Sequence, residues 1–120
     1  MKNLLTAAAI LALTSTLCAA PEKPQYTIKD VMKAIHKGDT SLGKKVAQGQ
    51  GTKEDFAKMV SYYKSLPLNE PPRGDKASWS AKAAALLHAA EGLHKGEATA
   101  LESYKKASNC KACHSQHKPE

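Results

Sequence analysis

The chain has 120 residues, with 18 Lys and Arg against 11 Asp and Glu and a formal net charge of +7. That length fits one domain rather than several, and one Phe, one Trp and four Tyr leave little bulky side-chain material for a core. Lysines are spread through every segment instead of forming a stripe, so they read as a solvated exterior, and nucleic acid is not expected as a partner.

Lys2 precedes an apolar run from Leu4 to Leu13, followed by small or weakly polar residues from Thr14 to Ala20. This is the layout of a secretory signal peptide cleaved after Ala20, and the run is too short for a stable membrane anchor. Cys18 is then discarded. Lipidation of Cys18 is the other route, but Leu17 stands where such signals want a small residue. The expected layout is a signal peptide over residues 1–20 and one domain over 21–120, in which 17 basic residues face 11 acidic ones. Such a balance favours redox or other partners with acidic docking surfaces.

No stretch alternates apolar and polar residues long enough for a strand, whereas helical spacing recurs four times. The first segment runs from Thr27 to about Gln48, with Thr27 and Asp30 at capping-box spacing and Ile28, Val31, Met32, Ile35, Leu42 and Val46 on one face. Gly38 and Gly43 weaken its middle. The second begins at Thr52, with Asp55 three residues on, and presents Phe56, Met59, Val60, Tyr63 and Leu66 before Pro67 stops it. Residues 68–74, with Pro71 and Pro72, read as an extended crossover.

The third helix is expected from Ser78 to about Gly96, with Trp79, Ala83, Leu86, Leu87, Ala90 and His94 at helical intervals. The fourth runs from Glu97 to about Gln116. Short links on either side of the longer crossover predict an all-α fold, an antiparallel up-down-up-down four-helix bundle. Ala83, Ala84, Ala85, Ala89, Ala90, Ala107 and Ala112 are small enough to let helices close on a flat group, and are also good helix formers.

Cys110-Lys111-Ala112-Cys113-His114 lies in the last turns of the fourth helix and matches C-x-x-C-H, the attachment site of a c-type haem. Two thiols one turn apart suit the two vinyl groups along one porphyrin edge, and the following His can reach the iron from one face. Two other readings use the same residues. A redox disulfide between Cys110 and Cys113 belongs where a strand meets a helix, a pattern absent here. Zinc held by Cys110, Cys113, His114 and His117 would draw all its ligands from one short knot instead of two separated pairs. Haem c, one per chain and covalent, is the expected cofactor, and its bulk would supply the missing core. Export and C-x-x-C-H agree, because thioether attachment in bacteria takes place outside the cytoplasm.

Gly74-Asp75-Lys76-Ala77-Ser78-Trp79 and Ala107-Ser108-Asn109-Cys110-Lys111-Ala112-Cys113-His114 together resemble the class II c-type cytochromes, the cytochrome c prime family. The resemblance covers most of residues 21–120 and is best from Gly74 to Lys118. It implies haem attached near the C-terminus of a four-helix bundle, with Cys110 and Cys113 as thioether anchors and His114 as proximal iron ligand. Many such proteins dimerise, so a homodimer is compatible with it. The family commonly carries an aromatic and a basic residue three and four positions after the haem His; here His117 and Lys118 stand there.

Family members with a Met on the first helix hold the iron six-coordinate, whereas an apolar side chain there leaves it open to nitric oxide or carbon monoxide. Ile28-Lys29-Asp30-Val31-Met32-Lys33 is similar to the Met-bearing kind, which implies Met32 as distal ligand. His36, four residues on, is the rival, and an open distal side is the third possibility. The expected function is a periplasmic monohaem electron carrier; the runner-up is a five-coordinate gas-binding haem protein. His88 is expected to be exposed, and His94 suits a helix C-terminus. Nothing resembles a hydrolytic triad, a phosphate loop or a paired-carboxylate site, so an enzyme is not expected.

Overall fold

A computed structural model describes residues 22–119. The expected signal peptide, its cleavage site and Cys18 lie outside the described residues. Every described element is helical, with no strand among the described residues, as the periodicity implied. No described helix is long and apolar enough to cross a membrane.

The chain enters helix α1 (Ile28–Val31) through a capping box. Asp30 N–H donates to Thr27 Oγ1 at 3.1 Å, and Thr27 N–H donates to Asp30 Oδ2 at 3.0 Å. The helix continues as a π turn over Met32–His36 and then stops. Gly38 takes a left-handed φ of +90° that non-glycine residues rarely adopt. Ser41 then caps a new helix, α2 (Leu42–Ala47), by accepting from Lys44 N–H at 3.3 Å. The single helix expected over residues 27–48 is therefore two, because Gly38 ends one helix instead of merely weakening it. Gly43 has a packing role: a Cβ there would lie 3.0 Å from both His36 Nδ1 and the Ile35 carbonyl, and 3.1 Å from Tyr104 OH.

Helix α3 (Lys53–Tyr63) starts at the anticipated Thr52–Asp55 capping box. Asp55 also accepts from Lys45 Nζ at 2.7 Å, fixing α2 to the start of α3. A 3-10 turn over Leu66–Leu68 carries Pro67, and Asn69 then ties the departing chain down through donations to the carbonyls of Ser65 (2.8 Å) and Tyr26 (2.9 Å). Helix α4 (Lys76–Lys95) begins two residues earlier than Ser78, because Asp75 serves as its N-cap, and ends at Gly96 with φ +78°.

The last expected helix is also divided, into α5 (Ala100–Ala107) and α6 (Cys110–His117). Asn109 is extended at the junction and accepts from Ala112 N–H at 3.2 Å, so it opens α6 with Cys110 as the first helical residue. α3 packs against α4, and α4 against α5. Val31, Ile35, Val46, Met59, Tyr63, Leu66, Trp79, Ala83, Ala90 and Tyr104 form the core between them. Tyr63 and Tyr104 are its largest fully buried side chains.

Candidate functional site

A cleft of about 750 Å³ opens beside this core. Met32 at the first position of the π turn, Leu66, Trp79 and Leu86 line it together with Cys113 of α6. Five of the seven alanines singled out from the sequence, Ala83, Ala85, Ala89, Ala107 and Ala112, are on its walls, whereas Ala90 is in the core. Absence of long side chains on these facing turns is what leaves the gap. Lys82, Lys95 and Lys106 add cationic groups to the lining.

The volume falls within the range of about 300–1,000 Å³ typical of cofactor clefts, and the lining is mainly apolar. It also brings a thiol and a thioether, Cys113 and Met32, to one space. These features suit a flat, largely apolar cofactor, but of Cys110, Cys113 and His114 only Cys113 reaches the lining. Burial pushes the Cys113 thiol above its ordinary range, with Lys82 pulling the other way. Cys110 is exposed and outside the cleft lining, its Sγ directed at the Ser108 carbonyl at 3.6 Å, and His114 is exposed on the same helix. Both cysteines are free thiols.

Zinc fits less well. Among the described residues no group of three or more His, Cys, Asp or Glu side chains is arranged to hold a metal ion. His117, the fourth member of that imagined set, is only 3% exposed and fully engaged elsewhere. Its Nδ1–H donates to the Arg73 carbonyl at 2.8 Å, its Nε2 lies 3.2 Å from Ser78 Oγ, and its ring meets Trp79 edge-on with centroids 5.6 Å apart. Arg73 donates to the Ser115 carbonyl at 2.8 Å, so crossover and haem-motif helix clasp each other. Gly74 makes the approach possible: with φ +85°, a Cβ there would come within 2.6 Å of the Gln116 carbonyl.

His36 is not on the cleft wall. Its Nε2 is 2.9 Å from Tyr63 OH, and Tyr63 OH is 3.2 Å from Tyr104 OH, giving a chain of three polar groups inside the core. Burial, helped by nearby His114, lowers the His36 pKa to about 4, so the ring is neutral at pH 7. Tyr63 was placed on the apolar stripe of the second helix and His117 was named beside the haem motif, but Tyr104, the tyrosine pairing and the burial of His117 were not anticipated. Ala100, Tyr104 and Ala107 do share helical spacing, a signal for an inward Tyr104. His88 is exposed as expected, and His94 is exposed in the last turn of α4, the helix end anticipated for it.

The His36 shift has a measurable consequence. An unfolded imidazole takes up a proton near 6.5, and the folded one resists until about 4. Stability is therefore full above the first value and falls as pH drops between the two, by about 3 kcal/mol. Urea denaturation at pH 7 and pH 4.5 should show this loss in the wild type and largely erase it in His36→Gln. Equal losses in both proteins would assign it to other groups.

No family model, curated protein or solved structure matches the chain.

Proposed function

We propose that the protein is an exported, periplasmic single-haem c-type cytochrome of the class II kind, which carries electrons between partner proteins. The observation that carries this reading is the convergence of Cys113 of the C-x-x-C-H motif and Met32 of the first helix on one alanine-walled cleft. In this reading α1 with α2, α3, α4, and α5 with α6 are the four legs of an up-down-up-down bundle, consistent with the packing of α3 on α4 and α4 on α5.

Cys110 and Cys113 would hold the haem through thioethers, His114 would hold the iron on the proximal side, and Met32 on the distal side. Bound there, haem supplies a one-electron iron couple whose potential the axial ligands set. The chain's own residues do the rest. Leu66, Trp79 and Leu86 keep water from one side of the cleft, and the clasp through His117 and Arg73 holds the motif-bearing helix in register. Two fixed axial ligands suit electron transfer, because little rearrangement accompanies the change of charge. Lys82, Lys95 and Lys106 beside the cleft favour short-lived docking to acidic partner surfaces at the haem edge.

The ferric absorption spectrum of the purified, exported protein tests this directly. A low-spin spectrum with a Met-to-iron charge-transfer band is the expected result. High-spin ferric haem that binds carbon monoxide on reduction would assign the gas-binding role instead. Met32→Ala should convert the first spectrum into the second, and an unchanged spectrum would remove Met32 from the iron.

A further inference from the structure

We infer that Tyr63 is a positioning residue that keeps His36 off the iron and so leaves the distal side to Met32. The inference rests on the cytochrome reading above and adds to it how one of two rival ligands is chosen. Met32 and His36 are the two ends of the same π turn, so both are carried toward the core by one short element. Met32 lines the cleft, whereas His36 does not.

His36 would otherwise be the stronger competitor. Imidazole is a good ligand for haem iron, this one is neutral at pH 7, and it lies within electrostatic reach of His114. What restrains it is a hydrogen bond at one ring nitrogen and close packing at the other. Nε2 is bonded to Tyr63 OH at 2.9 Å, and the two rings stack with centroids 5.8 Å apart. Nδ1 faces the α2 backbone, where a Cβ on Gly43 would come within 3.0 Å of it. Burial holds the Tyr63 phenol far above its ordinary pKa, so its proton is retained. Tyr104 OH lies 3.2 Å from Tyr63 OH on its other side, and in either tautomer His36 Nε2 has no free lone pair while its bond to Tyr63 holds, since it either accepts the phenol proton or carries its own.

The test uses the haem-loaded, exported protein and reads its axial ligation by absorption, electron paramagnetic resonance and midpoint potential. Tyr63→Phe keeps the ring and removes only the donor. It is expected to lose the Met-to-iron band, gain the low-spin signature of two imidazoles, and shift to a lower potential. Adding His36→Ala to Tyr63→Phe should restore the Met band. Tyr104→Phe, which leaves the Tyr63–His36 bond in place, should keep it throughout.

A Tyr63→Phe protein that retains the Met band and its potential overturns the inference, as does a wild type already ligated by two imidazoles. The wild type offers a second measurement should Tyr63→Phe fail to accumulate. Nitrogen chemical shifts of His36 in the reduced protein should be those of a free, hydrogen-bonded Nε2, and an iron-bound nitrogen overturns the inference. A wild type carrying no haem at all overturns the cytochrome reading beneath it, a result seen before any variant is made.

Discussion

Replacing both Cys110 and Cys113 by Ala should yield an exported polypeptide whose intact mass contains no haem and whose visible absorption is lost after denaturing purification. The single replacements are expected to differ in degree. Cys113 is on the cleft wall and partly buried, whereas Cys110 is exposed one turn earlier at the start of α6. Cys110→Ala therefore keeps the thiol that already faces the space and should retain a minor singly attached product. Cys113→Ala removes that thiol and should retain less. Mass spectrometry of the intact proteins, with a haem stain on denaturing gels, measures all three. A wild type of bare polypeptide mass, lighter by two hydrogens than the reduced chain, would point instead to a disulfide between the two cysteines.

Trp79→Ala should cost about 3–5 kcal/mol of folding stability, a large part of the about 5–15 kcal/mol that holds a domain together. Three losses coincide at this residue. A side chain only 4% exposed is removed from the core, and neighbours that already include many alanines have little bulk with which to refill the space. The Leu66 carbonyl loses the indole N–H that reaches it at 3.0 Å and keeps only the Asn69 N–H at 3.2 Å. The His117 ring loses the aromatic edge that supports the clasp on α6. Urea denaturation of wild type, Trp79→Ala and Trp79→Phe should rank them in the order wild type, Phe, Ala. A loss below about 1 kcal/mol for the Ala variant would mean that this region is not packed as described.

The beginnings of helices were legible in the sequence because their chemistry is local. Thr27 with Asp30 and Thr52 with Asp55 are capping boxes in sequence and in structure, and Gly96 ends α4 as a left-handed cap. The internal breaks were not legible. Apolar spacing continues from Ile35 to Leu42 and Val46 across the Gly38 turn, because both sides of the break bury residues in the same core. Asn109 is an ordinary polar residue until its extended backbone and its bond to Ala112 make it a cap.

Legibility of the site divided in the same way. Cys113 and Met32 were named from residue chemistry and resemblance, and they do share a cleft. That Cys110 falls outside its lining depends on where α6 restarts, which periodicity across residues 97–116 does not reveal. The Tyr63–Tyr104 contact joins residues 41 apart, and the His117–Arg73 bond joins residues 44 apart, so neither leaves a local trace. A buried His117 also requires the absent side chain of Gly74.

The clasp between Arg73, Gly74 and His117 implies an order of events during folding. Its acceptor and its close-approach glycine belong to the crossover, so α6 has nowhere to dock until that stretch and α4 have taken shape. Closing so wide a loop is entropically unfavourable until the intervening helices are built. The thiols therefore remain reachable while the scaffold assembles, and seating of the final helix closes the sequence.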